Sequence, residues 1–110
     1  RPIPAAQRGL YESFAELSFN HREGERFTIE VVERESPFGI FAPHGGYLEP
    51  GTDEVASAVA GDRHSRYIFR ALHEPTSQQL HLTSHRYDEP RALRLAARCE
   101  TVVTIHGCAD

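Results

Sequence analysis

Near the start of the chain, the apolar positions Leu10, Phe14 and Leu17 recur at intervals of three and four, with Glu12 and Glu16 on the other side. That period predicts an amphipathic helix over residues 9–19. The spacing then changes. Over residues 27–34 a β-branched run sets Ile29 and Val31 against Glu30 and Val32, which predicts a strand wetted on one face. After a turn at Ser36-Pro37, Phe38-Gly39-Ile40-Phe41-Ala42 is short, continuous and apolar, the pattern of a buried strand. Residues 43–51 are broken by glycine and proline and read as a loop. Thr52 or Asp53 can cap a helix that runs to Ala60 and stops at Gly61. Asp53 and Glu54 fall in its first turn, where the helix dipole favours acids. Residues 66–72, around Tyr67-Ile68-Phe69, and residues 79–83 read as two more strands. Pro90 opens a helix to Arg98, and Thr101-Val102-Val103-Thr104-Ile105 is an apolar strand ending at His106-Gly107. Helices alternating with apolar strands predict one α/β domain across residues 1–110, with a sheet that is at least partly parallel.

Composition narrows the function classes. A hydrophobic fraction of 39% and a charged fraction of 25% over 110 residues are those of an ordinary globular domain. No apolar run approaches the ~20 residues that span a bilayer, so no membrane partner is expected. The formal charge of −4, from 12 basic and 16 acidic residues, is not the basic stripe of a nucleic-acid binder. It would also repel a polyanion at long range, so such a substrate needs local cations. No basic segment followed by an apolar stretch marks a signal peptide. With Arg1 first and no methionine, localisation stays open between cytoplasmic and secreted. Cys99 and Cys108 lack a CxxC spacing, and reduced thiols are the expectation.

Seven histidines in 110 residues are many, and two occupy equivalent places. His44 follows the apolar strand 38–42 and His106 follows 101–105. Ligand crevices of open α/β sheets lie beyond the carboxyl ends of the strands, so parallel neighbours would bring both imidazoles to one rim. Glu49 lies five residues beyond His44 on a glycine-rich loop. Two histidines and a carboxylate with an open fourth position form the ligand set of a hydrolytic zinc site. Such a metal lowers the pKa of water from 15.7 toward ~7. The alternative is that these are loop histidines satisfied by backbone hydrogen bonds.

Four segments occur in a fixed order: Ala42-Pro43-His44-Gly45-Gly46-Tyr47-Leu48-Glu49-Pro50-Gly51-Thr52, Leu80-His81-Leu82-Thr83-Ser84, Tyr87-Asp88-Glu89-Pro90 and Ile105-His106-Gly107. In order and interval the chain resembles the poly-γ-glutamate hydrolase family, over nearly its whole length. The resemblance implies a zinc-carboxypeptidase-like fold, α/β with a mixed, partly parallel central sheet and flanking helices, and a zinc-dependent amidohydrolase acting on γ-glutamyl bonds. His44, Glu49 and His106 would hold Zn²⁺, with His81 near the substrate. Arg86, one of several arginines around His81, and Glu54 are the further substrate-side candidates. Poly-γ-glutamate or another γ-glutamyl amide would be the partner. In carboxypeptidase-like enzymes the general base follows the third ligand. The expectation is therefore that the base lies beyond residue 110 and that this chain is the N-terminal part of a longer domain, incomplete and inactive alone. The competing readings are a non-catalytic zinc- or ligand-binding relative without the base, and a structural α/β domain with core-satisfied histidines.

Overall fold

The computed structural model describes residues 10–73 and 79–107. Helix α1 (Phe14–Asn20) buries Phe14 and Leu17 as the helical period predicts. It starts later than residue 9 because the Ser13 side chain accepts from the Glu16 amide and caps it there, leaving Leu10 outside and 50% exposed. Strand β1 (Phe27–Val32) stops short of residue 34. The Arg34 amide is instead taken by the Ser65 hydroxyl at 2.9 Å. Then come β2 (Phe38–Gly46), α2 (Thr52–Ala60), β3 (Ser65–Ala71), a 3₁₀ turn (Ser84–Arg86), α3 (Pro90–Arg98) and β4 (Thr101–Thr104).

The four strands form one sheet in the order β1-β3-β2-β4. β1 is antiparallel to β3, and β2 runs parallel to both β3 and β4. The sheet is partly parallel, as the pattern predicts, and mixed with flanking helices, as the resemblance implies. Period-two alternation sorts its side chains to two faces. Phe41, Tyr67 and Phe69 join Phe14, Leu17 and Leu95 in the larger core. Ile40, Ala42 and Ile68 meet Ala56 and Ala60 of α2 on the other face. Each large apolar side chain buried this way is worth about 1.5–3 kcal/mol.

One expectation fails here. Residues 79–83 join no strand ladder of the sheet. Both sides of β3 and of β2 are already paired, and Leu80 and Leu82 reach the larger core from a segment lying across it. β4, although apolar, is an edge strand with all four positions exposed, Val102 at 40% and Val103 at 39%. Among the described residues no helix is long and apolar enough to cross a membrane. Cys99 is half-buried, and Cys108 lies outside the described residues.

Candidate metal centre

The strand read as ending at Ala42 continues through His44 to Gly46. Its pairing with β3 shifts between Ala42↔Ile68 and Gly45↔Arg70, so β2 carries one extra residue at Pro43-His44. Proline has no amide for a ladder, and a bulge re-aims the side chain it carries. His44 is 2% exposed there, not a loop residue. Gly46 then turns the chain at φ +67°, where a Cβ would lie 2.2 Å from the Ala71 carbonyl oxygen, so no other residue fits. The turn is fastened by Tyr47 N–H to the Ala71 carbonyl (3.1 Å) and by Glu49 N–H to the His44 carbonyl (2.9 Å). The Thr52 hydroxyl donates to the Glu49 carbonyl at 2.9 Å. That bond occupies the residue expected to cap α2, which starts after Gly51 without a side-chain cap.

This bracing fixes the Glu49 carboxylate between two imidazoles. One oxygen is 3.6 Å from His44 Nδ1, and the other is 3.6 Å from His106 Nδ1. The second oxygen also accepts from Gly107 N–H at 3.0 Å. β4 delivers His106 because Phe41 pairs with Thr104 and the Ile105 amide bonds the Phe41 carbonyl at 2.8 Å. One ligand atom from each of the three residues lies within 4.8 Å of the others. Donors about 2.1 Å from one ion at tetrahedral angles stand roughly 3.4 Å apart, so both Glu49 distances fit.

His44 is prepared for this role. Its Nε2–H donates to the Leu82 carbonyl at 2.6 Å, which leaves Nδ1 with the lone pair. That Nδ1 is buried and has no hydrogen-bond partner. Burial pushes its pKa down to about 4, against the pull of the Leu82 carbonyl. A neutral ring makes the Glu49 approach no ion pair; the Nδ1 lone pair lies 3.6 Å from a Glu49 oxygen. His81 stacks on His44 with centroids 4.0 Å apart, its Nε2 3.7 Å from Glu49. The His106 side chain is 42% exposed and forms the open side. A cavity of about 210 Å³ lined by Phe41, Pro43, Tyr87, Val102 and Thr104 adjoins it.

Four of the six candidate residues therefore converge: His44, Glu49, His106 and His81. Arg86 Nε lies 3.6 Å from the Glu12 carboxylate. Glu54 is exposed in the first turn of α2. Its neighbour Asp53 faces inward to Arg70 at 3.1 Å. Sequence reasoning missed the Leu82 carbonyl, since a backbone acceptor leaves no side-chain signature. Glu89 caps α3, directly before the Pro90 expected to open that helix. It is also 1% exposed and accepts from the Tyr67 hydroxyl at 2.9 Å. Its only sequence signal was its place in the Tyr87-Asp88-Glu89-Pro90 segment.

Residues 11–110 match the family model for poly-gamma-glutamate hydrolase. The chain belongs to the poly-γ-glutamate hydrolase family. Similar proteins of Bacillus subtilis (strain 168) include the UPF0714 protein YndL, 37% identical over 101 residues covering 92% of this chain and 39% of YndL. The SPbeta prophage-derived UPF0714 protein YoqZ is 36% identical over 100 residues, 91% of this chain and 36% of YoqZ. A solved zinc-free apo structure of YndL superposes with a TM-score of 0.87 at 36% identity, covering 94% of this chain and 50% of that one. A bacteriophage poly-gamma-glutamate hydrolase does so with a TM-score of 0.87 at 31% identity, covering 91% and 49%. This member of the family thus spans well under half of YndL and YoqZ and about half of each solved chain.

Proposed function

We propose that the protein is a zinc-dependent hydrolase of γ-glutamyl amide bonds, poly-γ-glutamate first among them, and that His44, Glu49 and His106 hold the ion. The observation that carries this is the Glu49 carboxylate 3.6 Å from each of two Nδ1 atoms, one of them buried without a hydrogen-bond partner. The substrate class rests on the family and on the bacteriophage hydrolase. The choice of zinc rests on the two-histidine, one-carboxylate set and on YndL having a form described as zinc-free. Bound there, zinc supplies Lewis acidity toward an amide carbonyl and a lowered pKa for water.

The chain's own residues prepare that site. Leu82 keeps His44 in the tautomer that offers Nδ1, and burial keeps it unprotonated at neutral pH. Gly107 holds the outer oxygen of Glu49. His81, stacked beside them, stands where a substrate group near the ion would meet a ring nitrogen; Arg86 and Glu54 are proposed for the outer part of the substrate path. The general base is assigned to none of the described residues, and residues 1–110 are proposed as the N-terminal part of a longer domain.

With zinc supplied, the viscosity of a poly-γ-glutamate solution is expected to fall on incubation with the longer domain that residues 1–110 are proposed to begin, and a chelator or His44→Ala/His106→Ala should abolish the fall. A zinc-loaded longer domain that cleaves no γ-glutamyl substrate would remove the hydrolase reading. One observation favours a second reading, a non-catalytic zinc- or ligand-binding relative. Glu49 is the only carboxylate of the described cluster, and a ligand cannot also serve as base. That reading predicts stoichiometric metal without turnover.

A further inference from the structure

Leu82 holds His44 Nε2, His81 covers one face of the ring, and Nδ1 looks toward Glu49. Two further rings approach it: His106, tilted at 45° with centroids 5.5 Å apart, and Tyr87, nearly perpendicular at 77° with centroids 6.2 Å apart. The Tyr87 ring also meets Tyr67 at 85° and Phe69 at 88°. It is pinned at its far end. The Tyr87 and Tyr67 hydroxyls are 2.8 Å apart, and Tyr67 donates to Glu89 Oε1 at 2.9 Å. With that proton committed, Tyr67 is left to accept from Tyr87, so the chain has one direction.

Glu89 is itself immobilised. Its carboxylate accepts from the amides of Arg91 and Ala92 at the start of α3 and from Arg91 Nε at 2.9 Å. Arg91 is clamped in turn by both oxygens of Glu23, at 3.0 and 2.8 Å. A helix start needs a cap, but it does not need a buried carboxylate that reaches across to a tyrosine on β3. Nor does a core position filled by Tyr87 need a hydroxyl, since phenylalanine has the same shape.

We propose that Tyr87 is a positioning residue for the metal centre: its hydroxyl, tied through Tyr67 to Glu89, fixes the ring whose edge sets the place of His44. The inference rests on the reading of His44 as a metal ligand. Interior side chains are close-packed, so a ring released by a few tenths of an ångström moves its neighbour. Outer groups that orient a ligand tune metal affinity in this way.

Tyr87→Phe in the full chain deletes the link and keeps the ring, the cap and the volume. Tyr67→Phe deletes the same link and also takes from Glu89 Oε1 its hydroxyl donor, leaving the Ala92 amide there, so it lowers stability as well. Co²⁺ affinity, measured by competition with a chromophoric chelator, and the visible spectrum of the Co²⁺ protein are read beside urea denaturation. Tyr87→Phe should weaken Co²⁺ binding by roughly 3- to 10-fold, below the 10–100-fold of groups bonded directly to a ligand, and shift the absorption bands. The double variant should bind no more weakly than the weaker single one, because both remove one link. A purely structural hydroxyl would change the urea midpoint and leave affinity within about twofold and the spectrum unmoved; that result overturns the proposal, as does a multiplicative loss in the double variant. Wild-type protein that binds no Co²⁺ would instead overturn the ligand reading on which it rests, and the proposal with it.

Discussion

Gly46→Ala gives the sharpest test of how the fold sets the Glu49 loop. An added Cβ would stand 2.2 Å from the Ala71 oxygen and 2.8 Å from its nitrogen, both backbone atoms of a paired strand. No rotamer can relieve such a contact, so β2 must move off β3. The left-handed φ of +67° adds about 1–2 kcal/mol for any residue with a Cβ. Separation costs the Tyr47–Ala71 hydrogen bond, about 0.5–1.5 kcal/mol. It also withdraws part of the buried Leu48 side chain, which at full burial is worth about 1.5–3 kcal/mol. The sum is about 2–4 kcal/mol, a large share of the ~5–15 kcal/mol that holds a domain together. Gly51→Ala is the internal control. Its φ of +94° carries similar strain, but nothing lies within 4 Å of the added Cβ, so about 1–2 kcal/mol is expected. Urea denaturation at 25 °C should rank Gly46→Ala as the more damaging by about 1–2 kcal/mol, the separation term alone. Equal effects, or a neutral Gly46→Ala, would refute the claim that close approach to β3 forces the turn.

Three further outcomes follow from the site and the sheet. Glu49→Gln removes the charge shared by both imidazoles. It should lower Zn²⁺ affinity beyond the ~100-fold upper range of outer partners, read by chelator competition; a smaller loss would mean Glu49 is not a ligand. Gly107→Ala puts a Cβ 3.0 Å from Glu49 Cβ. It should weaken metal binding on the order of 10-fold while the urea midpoint hardly moves, and unchanged affinity would contradict it. The Arg70 hydrogen bond, helped by Arg66 and opposed by burial, holds the Glu30 carboxyl below its usual range. A depressed pKa stabilises the fold above the unfolded value of about 4.3 and loses that contribution as pH falls through the lower folded value. The melting-temperature gap between wild type and Glu30→Gln should therefore close on acidification below about pH 4, and a pH-independent gap would count against it.

What could be read in the sequence was what depends on near neighbours. The run 38–42, the proline at 90 and the glycine at 61 place a strand, a helix start and a helix end because each acts within a turn of chain. His44 and His106 were legible as partners because each follows an apolar strand, and parallel strands share a carboxyl rim. The bulge at Pro43-His44 was not, since it exists only through pairing with β3. Residues 79–83 alternate like a strand, but both central strands were already paired. The holding contacts of the site join residues 38, 20 and 22 positions apart: His44 to Leu82, Tyr67 to Tyr87, Tyr67 to Glu89. No local pattern carries such distances.

The central claim is a single divalent ion held by three side chains. Crystals grown with zinc and measured at the zinc absorption edge should give one anomalous peak, about 2.0–2.2 Å from a nitrogen of His44, a carboxylate oxygen of Glu49 and a nitrogen of His106. No peak there at saturating zinc, or one ligated by other side chains, would contradict it.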